Sequence, residues 1–109
     1  MKKIDYSFSS SDIDACIFAL TQVDLLHDDQ VPEVQRNINI QCATSAASKL
    51  IHNDVNLTAN ELRVLCCCIT YCNLICNGSI SIDPDTYKQC MKYVFSLNKL
   101  DNELSSQIF

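Results

Sequence analysis

Apolar side chains recur every three to four residues over most of this chain, which is the spacing of helices that bury one face. The densest stretch is 62–76, where the polar residues are Arg63, Thr70 and Asn73. At about 100° per residue, its apolar side chains cover most of a helical wheel. Such a helix must be surrounded by protein, so the pattern predicts a buried central helix, the third of about four.

Two helices are predicted before this central one. The first covers about 12–26, with Ser10 or Ser11 as its N-cap. The second covers about 32–52, with Pro32 in its first turn. Its apolar face combines two rows of residues: Ile38, Cys42, Ala46 and Leu50, with Ile40, Ala43, Ala47 and Ile51 beside them. Small side chains over 42–48 predict close packing against the third helix.

The third and last helices carry clear boundary signals. Thr58 and Glu61 form a capping box before the central helix, and Gly78 is placed to end it in a left-handed conformation. Asp83 and Pro84 then open the last helix as cap and first residue.

These elements predict an all-α fold, a compact bundle of about four helices with a buried central third helix. The single glycine and two prolines agree, since a β-rich chain of 109 residues needs more turn glycines. We expect one domain over residues 1–109, extended over 1–10 and frayed over 103–109.

Phe18 and Leu25 lie one heptad apart on the first helix, outside its main apolar stripe. They form either a wider core contact or a contact with a partner. The sequence leaves both interpretations open.

The net charge of −5 lies entirely in the first third of the chain. Residues 1–35 hold seven acids and two lysines, whereas six acids balance six bases from Arg36 onward. This excess repels the phosphates of nucleic acid and attracts a basic protein surface. It predicts a protein partner with a basic surface, although a solvated acidic face that aids solubility explains the same charge. The candidate interface residues are Phe18, Leu25, Asp14, Asp24, Asp28 and Asp29.

The eight cysteines, in a chain without an export signal, favour free thiols. Cys68, Cys72 and Cys76 share one helical stripe, and neighbours on it could bind one zinc ion. The outer two are about 12 Å apart by helix rise, too far for a single ion. Cys90, between two lysines, is the best-placed reactive thiol. We interpret these cysteines as small buried hydrophobes and expect no metal or cofactor, with a thiol-based metal or redox sensor as the alternative.

The usual catalytic motifs are absent from the sequence. One glycine cannot build a phosphate loop, and His27 with Asp28 and Asp29 has no second cluster to work with. We therefore expect no enzyme.

No apolar run reaches the roughly 20 residues of a membrane span, and the first residues lack the apolar core of a signal peptide. We expect a cytoplasmic protein.

The stretch Leu57-Thr58-x-x-Glu61-Leu62-x-Val64-Leu65 resembles the helix opening of many winged-helix regulators. No short basic recognition helix and no glycine-bearing wing follows it. The lysine face of the last helix, Lys88, Lys92 and Lys99, offers fewer cations than the six or so phosphate contacts of a typical DNA-binding protein. Direct nucleic-acid binding is not expected, and a DNA-binding regulator is the third alternative.

By elimination, the sequence predicts a small non-enzymatic protein-binding module. A small acidic protein can inhibit a basic nucleic-acid-handling enzyme by covering the surface that its substrate uses. This would suit an accessory protein of a phage or mobile element, such as an anti-defence protein. The last helix could also pair with its copy in a homodimer, although Asp101 in the seam disfavours a long coiled coil.

Overall fold

The described part of the chain is all-α, as its apolar spacing predicts. The computed structural model describes residues 2–3 and 8–108. Its α-helices are α1 (Ser10–Thr21), α2 (Glu33–Ile51), α3 (Ala59–Cys76), α4 (Pro84–Lys92) and α5 (Val94–Ile108), with a 3-10 helix at Val23–Leu26 after α1.

Two short strands, β1 (Lys2–Lys3) and β2 (Asn56–Leu57), pair antiparallel, with Lys2 opposite Leu57 and Lys3 opposite Asn56. This ladder places residues 2–3 beside the loop that leads into α3. Of the segments predicted to be extended or frayed, residues 1, 4–7 and 109 lie outside the described residues.

Helix α3 contacts all four of the other α-helices. Ten of its eighteen residues are buried, among them Leu62, Leu65, Ile69 and Ile75, which are at most 1% exposed. By length and composition alone α3 could cross a membrane, but 56% of it is buried inside the protein. A helix that is apolar on nearly every side packs in this way at the centre of a folded domain.

The predicted capping box fixes the start of α3. Thr58 Oγ1 accepts a hydrogen bond from the Glu61 N–H (3.1 Å), and Glu61 Oε1 accepts one from the Thr58 N–H (2.7 Å). Lys49 of α2 donates to the same Glu61 oxygen at 2.7 Å, which joins the two helices. Burial alone would raise the pKa of Glu61, but hydrogen bonds from Lys49 and Thr58 outweigh it and lower the pKa to about 2.

The other predicted boundaries are mostly confirmed. Asp83 accepts a hydrogen bond from the Thr86 N–H at 2.9 Å, and Pro84 is the first residue of α4. Gly78 follows α3 with φ of 83°, a backbone conformation that suits glycine. Pro32, however, is the N-cap of α2 and does not lie in its first turn.

The cap of α1 is Ser9, so the prediction of Ser10 or Ser11 was wrong. Ser9 Oγ accepts from the Asp12 N–H (3.1 Å), and the Asp12 carboxylate accepts from the Ser9 N–H (3.1 Å). This second capping box buries Asp12, which also forms an ion pair with Lys99 of α5 at 3.4 Å. Three consecutive serines offer three possible caps, and the position of Asp12 selects the first.

Two predicted helices are interrupted. The first ends at Thr21 and continues only as the 3-10 helix. The last is divided into α4 and α5 at Tyr93, whose ring stacks on Phe18 with 5.1 Å between centroids. Cys90 and Leu97 are buried on either side of this break and lie one heptad apart. The apolar spacing therefore stays in phase across it, so the sequence pattern predicts one helix.

Two polar side chains of α3 donate hydrogen bonds to α5. Thr70 Oγ1 donates to Asp101 Oδ1 at 2.7 Å, and Asn73 Nδ2 donates to the Leu97 carbonyl oxygen at 3.0 Å. Asp101, which the sequence placed in the seam of a possible homodimer, therefore accepts a hydrogen bond within its own chain.

Candidate functional site

Helix α2 exposes four of its five large aliphatic side chains and buries two alanines. Val34, Ile38, Ile40 and Ile51 are 71%, 42%, 39% and 62% exposed, whereas Ala43 and Ala46 are buried with Leu50. The sequence placed all three isoleucines on one apolar face with these buried residues, and that placement was wrong. The alanines allow the α2 backbone to lie close to its neighbours, so the isoleucines on either flank point away from the core.

A groove runs between α1 and α2 on one flank of α2. We call it the α1–α2 groove. Its lining is mostly apolar, with Leu20, Val23, Ala43, Ala47 and Ile51, and its polar edge is formed by Thr21, Thr44 and Ser48. It encloses about 480 Å³.

A second concavity of about 410 Å³ continues from the groove toward the start of α1. We call it the N-terminal hollow, and its lining includes Phe8, Ile13, Ile17 and Asp14. Ile51 lines both concavities. The two together therefore follow most of α1 and the second half of α2, from Ala43 to Ile51.

The charge around these two concavities is acidic. Asp14 is the charged residue among those described as lining them, and the exposed Asp24 follows Val23 directly. The two nearest bases on α2 are engaged elsewhere. Lys49 binds Glu61, and the Arg36 guanidinium donates to the carbonyl oxygens of Val31 and Asp28.

The two apolar residues of the predicted interface are partly used inside the protein. Phe18 is half-buried and stacks on Tyr93. Leu25 is half-buried in the 3-10 helix and packs against the core. Their role in binding a partner stays a prediction, but neither is a freely presented side chain.

The predicted acidic interface residues all lie on the surface. Asp14 lies on α1 beside the N-terminal hollow, and Asp24 lies 3.8 Å from the His27 ring. Asp28 accepts from the Gln30 N–H at 2.9 Å in a turn, next to the exposed Asp29. Of the four, Asp14 lines the combined concavities, and Asp24, Asp28 and Asp29 do not.

A second apolar surface, which the sequence analysis did not single out, lies on α4 and the start of α5. Tyr87 and Met91 are exposed one turn apart on α4, and Phe95 of α5 is 87% exposed. The exposed Lys88 and Lys92 neighbour them in sequence, and Lys92 and Phe95 line a concavity together with Asp14 of α1. We call it the α4 stripe.

The cysteine cluster is packed inside the protein. Cys68 and Cys72 are buried and Cys76 is half-buried. Burial raises the pKa of Cys68 to about 12 and also raises the pKa of Cys72, Cys76 and Cys90. The Cys72 thiol of α3 and the Cys90 thiol of α4 are close enough that each influences the pKa of the other. Raised pKa values keep the thiols protonated and poorly nucleophilic at neutral pH.

Among the described residues, no group of three or more histidine, cysteine or acidic side chains is arranged to hold a metal ion. Comparisons with protein-family models, with curated proteins and with solved structures find no match to this chain.

Proposed function

We propose that this protein is a small non-enzymatic protein-binding module that acts on a larger partner. The observation that carries the proposal is the orientation of α2, which exposes four branched aliphatic side chains. Single exposed apolar residues are ordinary on a protein surface. Several on one helix, one of which, Ile51, lines an apolar groove, are typical of a surface that another macromolecule covers.

The charge distribution favours a partner with a basic surface. From Phe8 to Gln35 the sequence contains six acids and no lysine or arginine. Opposite charges accelerate the encounter of two proteins and orient them before contact. In the finer form of the proposal, the chain is an acidic inhibitor or regulator of a nucleic-acid-handling protein, as an anti-defence protein of a phage or mobile element would be.

The same features give less support to the other functions. A metal or redox sensor needs accessible thiolates, whereas burial keeps the Cys68 and Cys72 thiols protonated. A DNA-binding regulator needs a basic face, and one of the three lysines predicted for it, Lys99, forms an ion pair with Asp12.

Affinity capture tests the proposal. Tagged wild-type chain is used as bait in an extract of its native host, and bound proteins are identified by mass spectrometry and then purified for a direct binding measurement. We expect one stoichiometric partner with a basic surface, whose affinity falls as salt rises from about 0.1 M to about 0.5 M.

Three variants locate the surface that binds. Ile38→Ser and Ile51→Ser each remove one exposed aliphatic side chain from a different flank of α2, and we expect at least one to weaken binding about tenfold, or about 1.4 kcal/mol. Phe95→Ser is the matched control on the α4 stripe. Absence of any stoichiometric partner would contradict the proposed function, and full binding by both α2 variants would contradict its location.

A further inference from the structure

We propose that the α1–α2 groove and the N-terminal hollow together receive a basic amphipathic helix of the partner. This inference rests on the proposed function and makes it specific, because it names the surface and the kind of segment that covers it.

The length of the site fits a helix of about three turns. On α1 the lining residues extend from Ile13 to Leu20, and Val23 follows in the 3-10 helix. At 1.5 Å per residue, this wall is about 15 Å long. The walls are antiparallel, because Leu20 lies by Ala43 and Ile13 by Leu50. A third helix can pack between two such walls by inserting its ridge of side chains.

The walls also select a helix over an extended peptide. An extended peptide binds either by pairing its backbone with an open strand edge or, if it is proline-rich, by docking in a groove lined by aromatic side chains, and aromatic residues other than Phe8 are absent from the described lining. Here both walls are α-helices, α1 and α2, whose backbone groups are already paired along their length. A helical ligand satisfies its own backbone hydrogen bonds and offers only side chains to the groove, which is what an apolar floor requires.

The charges select a basic ligand. Asp14 lines one end of the combined site, the exposed Asp24 directly follows the lining residue Val23 in the sequence, and none of the described lining residues is basic. A helix with leucine-like residues on one face and lysine or arginine at its margins would fill the apolar floor and meet these acids. A second copy of the acidic face would be repelled, which disfavours a symmetric dimer through this site.

Binding of designed peptides to the purified full chain tests this inference. The probe is a fluorescent peptide of about 18 residues with leucine at i, i+3, i+4 and i+7 and lysine at the other positions. One control peptide has glutamate in place of lysine, and another has the same composition in scrambled order. Anisotropy gives the affinity, and amide chemical shifts locate the bound peptide.

We expect the lysine peptide to bind at least about tenfold more tightly than either control. Shift changes should appear at Leu20, Ala47 and Ile51 and not at Phe95. Equal binding of the glutamate peptide, shifts centred on the α4 stripe, or no binding at all would each overturn the inference.

Two arginine variants of α2 separate occupation of the groove from added charge. Thr44 and Gln41 are both exposed, but Thr44 lines the groove and Gln41 does not. We expect Thr44→Arg to weaken binding about tenfold and Gln41→Arg to change it less than about twofold. If the two variants weakened peptide binding equally, only the net charge of the protein would matter, and the groove would not be the binding site.

The outcomes also separate this inference from the proposed function. If the captured partner still requires the exposed isoleucines of α2 but binds the Thr44→Arg variant normally, only the assignment to the groove fails.

Light scattering on the free chain tests whether a second copy of the chain occupies the groove. A dimer abolished by Thr44→Arg, and also by charge reversal at Lys88 and Lys92, would make a second copy the occupant and overturn the partner helix.

Discussion

At the scale of single residues, Glu61 combines two tasks in one carboxylate. It closes the capping box of α3 and binds Lys49 of α2 through the same oxygen, Oε1. Glu61 is only 3% exposed. Because water cannot solvate a carboxylate that is buried to this extent, these hydrogen-bond donors must stabilise its charge. The sequence revealed the capping box but not Lys49, because the two residues are 12 positions apart on different helices.

The pKa of Glu61 predicts how stability depends on pH. The folded-state pKa is about 2, below the ordinary value of 4.5. The carboxylate therefore contributes stability above about pH 4.5, and this contribution is lost as the pH falls toward 2. It amounts to at most about 3 kcal/mol.

We expect Glu61→Gln to lower the free energy of unfolding by about 1–3 kcal/mol at pH 7 and to differ much less from wild type near pH 2. Urea unfolding at the two pH values measures this. The exposed Glu33, changed to Gln, is the control for loss of a charge alone. A Glu61→Gln deficit that is the same at both pH values would contradict the assigned role.

The cysteines should differ sharply in reactivity according to their burial. Cys67 is exposed, Cys42 and Cys76 are half-buried, and the other five are buried. We expect an alkylating reagent to label Cys67 first in the native protein, and the buried thiols only after unfolding. Peptide mass spectrometry after timed labelling gives the order. Rapid native labelling of Cys68 or Cys72 would show that the α3 thiols are accessible, and would favour the sensor alternative.

At the scale of elements, α3 is where sequence and structure agree best. Its apolar residues cover nearly the whole helical wheel, so it can only lie inside the protein, whatever surrounds it. Both of its ends carry local signals. These are the side chain of Thr58, which caps the start, and the backbone of Gly78, which takes a left-handed conformation after the end. Local signals and all-round apolarity need no knowledge of the tertiary contacts, so they could be predicted.

Helix α2 shows what the sequence could not provide. Apolar side chains lie on several of its faces, so the pattern alone does not choose which face is buried. The choice depends on how closely the neighbouring backbones approach, and the structure settles it in favour of Ala43 and Ala46. The α1–α2 groove follows from that choice and was therefore hidden at the level of sequence.

The central position of α3 predicts a large difference between two neighbouring substitutions. Ile69 is fully buried and Cys67 is exposed on the same helix. We expect Ile69→Ala to reduce the free energy of unfolding by about 2–5 kcal/mol, because it leaves a cavity among packed side chains. Cys67→Ala, with nearly the same helix context, should change it by less than about 0.5 kcal/mol. Urea unfolding of the two variants measures this. If both lost the same free energy of unfolding, Ile69 would not be a core residue and α3 would not be the central helix.

At the scale of the whole molecule, the acidic residues of α1 and the lysines of α4 adjoin. Asp14 lines the N-terminal hollow, and it also lines a concavity with Lys92 and Phe95 of the α4 stripe. The α4 stripe therefore begins where the N-terminal hollow ends. A basic partner seated in the hollow is attracted by Asp14 and repelled by Lys92, which favours a position nearer the α1–α2 groove.

The division of the last predicted helix at Tyr93 has a mechanical consequence. Helix α4 buries a single side chain, Cys90, whereas α3 buries ten. Segments that bury few side chains open locally for less free energy than the whole domain needs to unfold. We therefore expect local opening to begin at α4, between the residues Ile82 and Tyr93 that pack against the core on either side of it. Such opening would give water access to the Cys90 thiol before the rest of the interior.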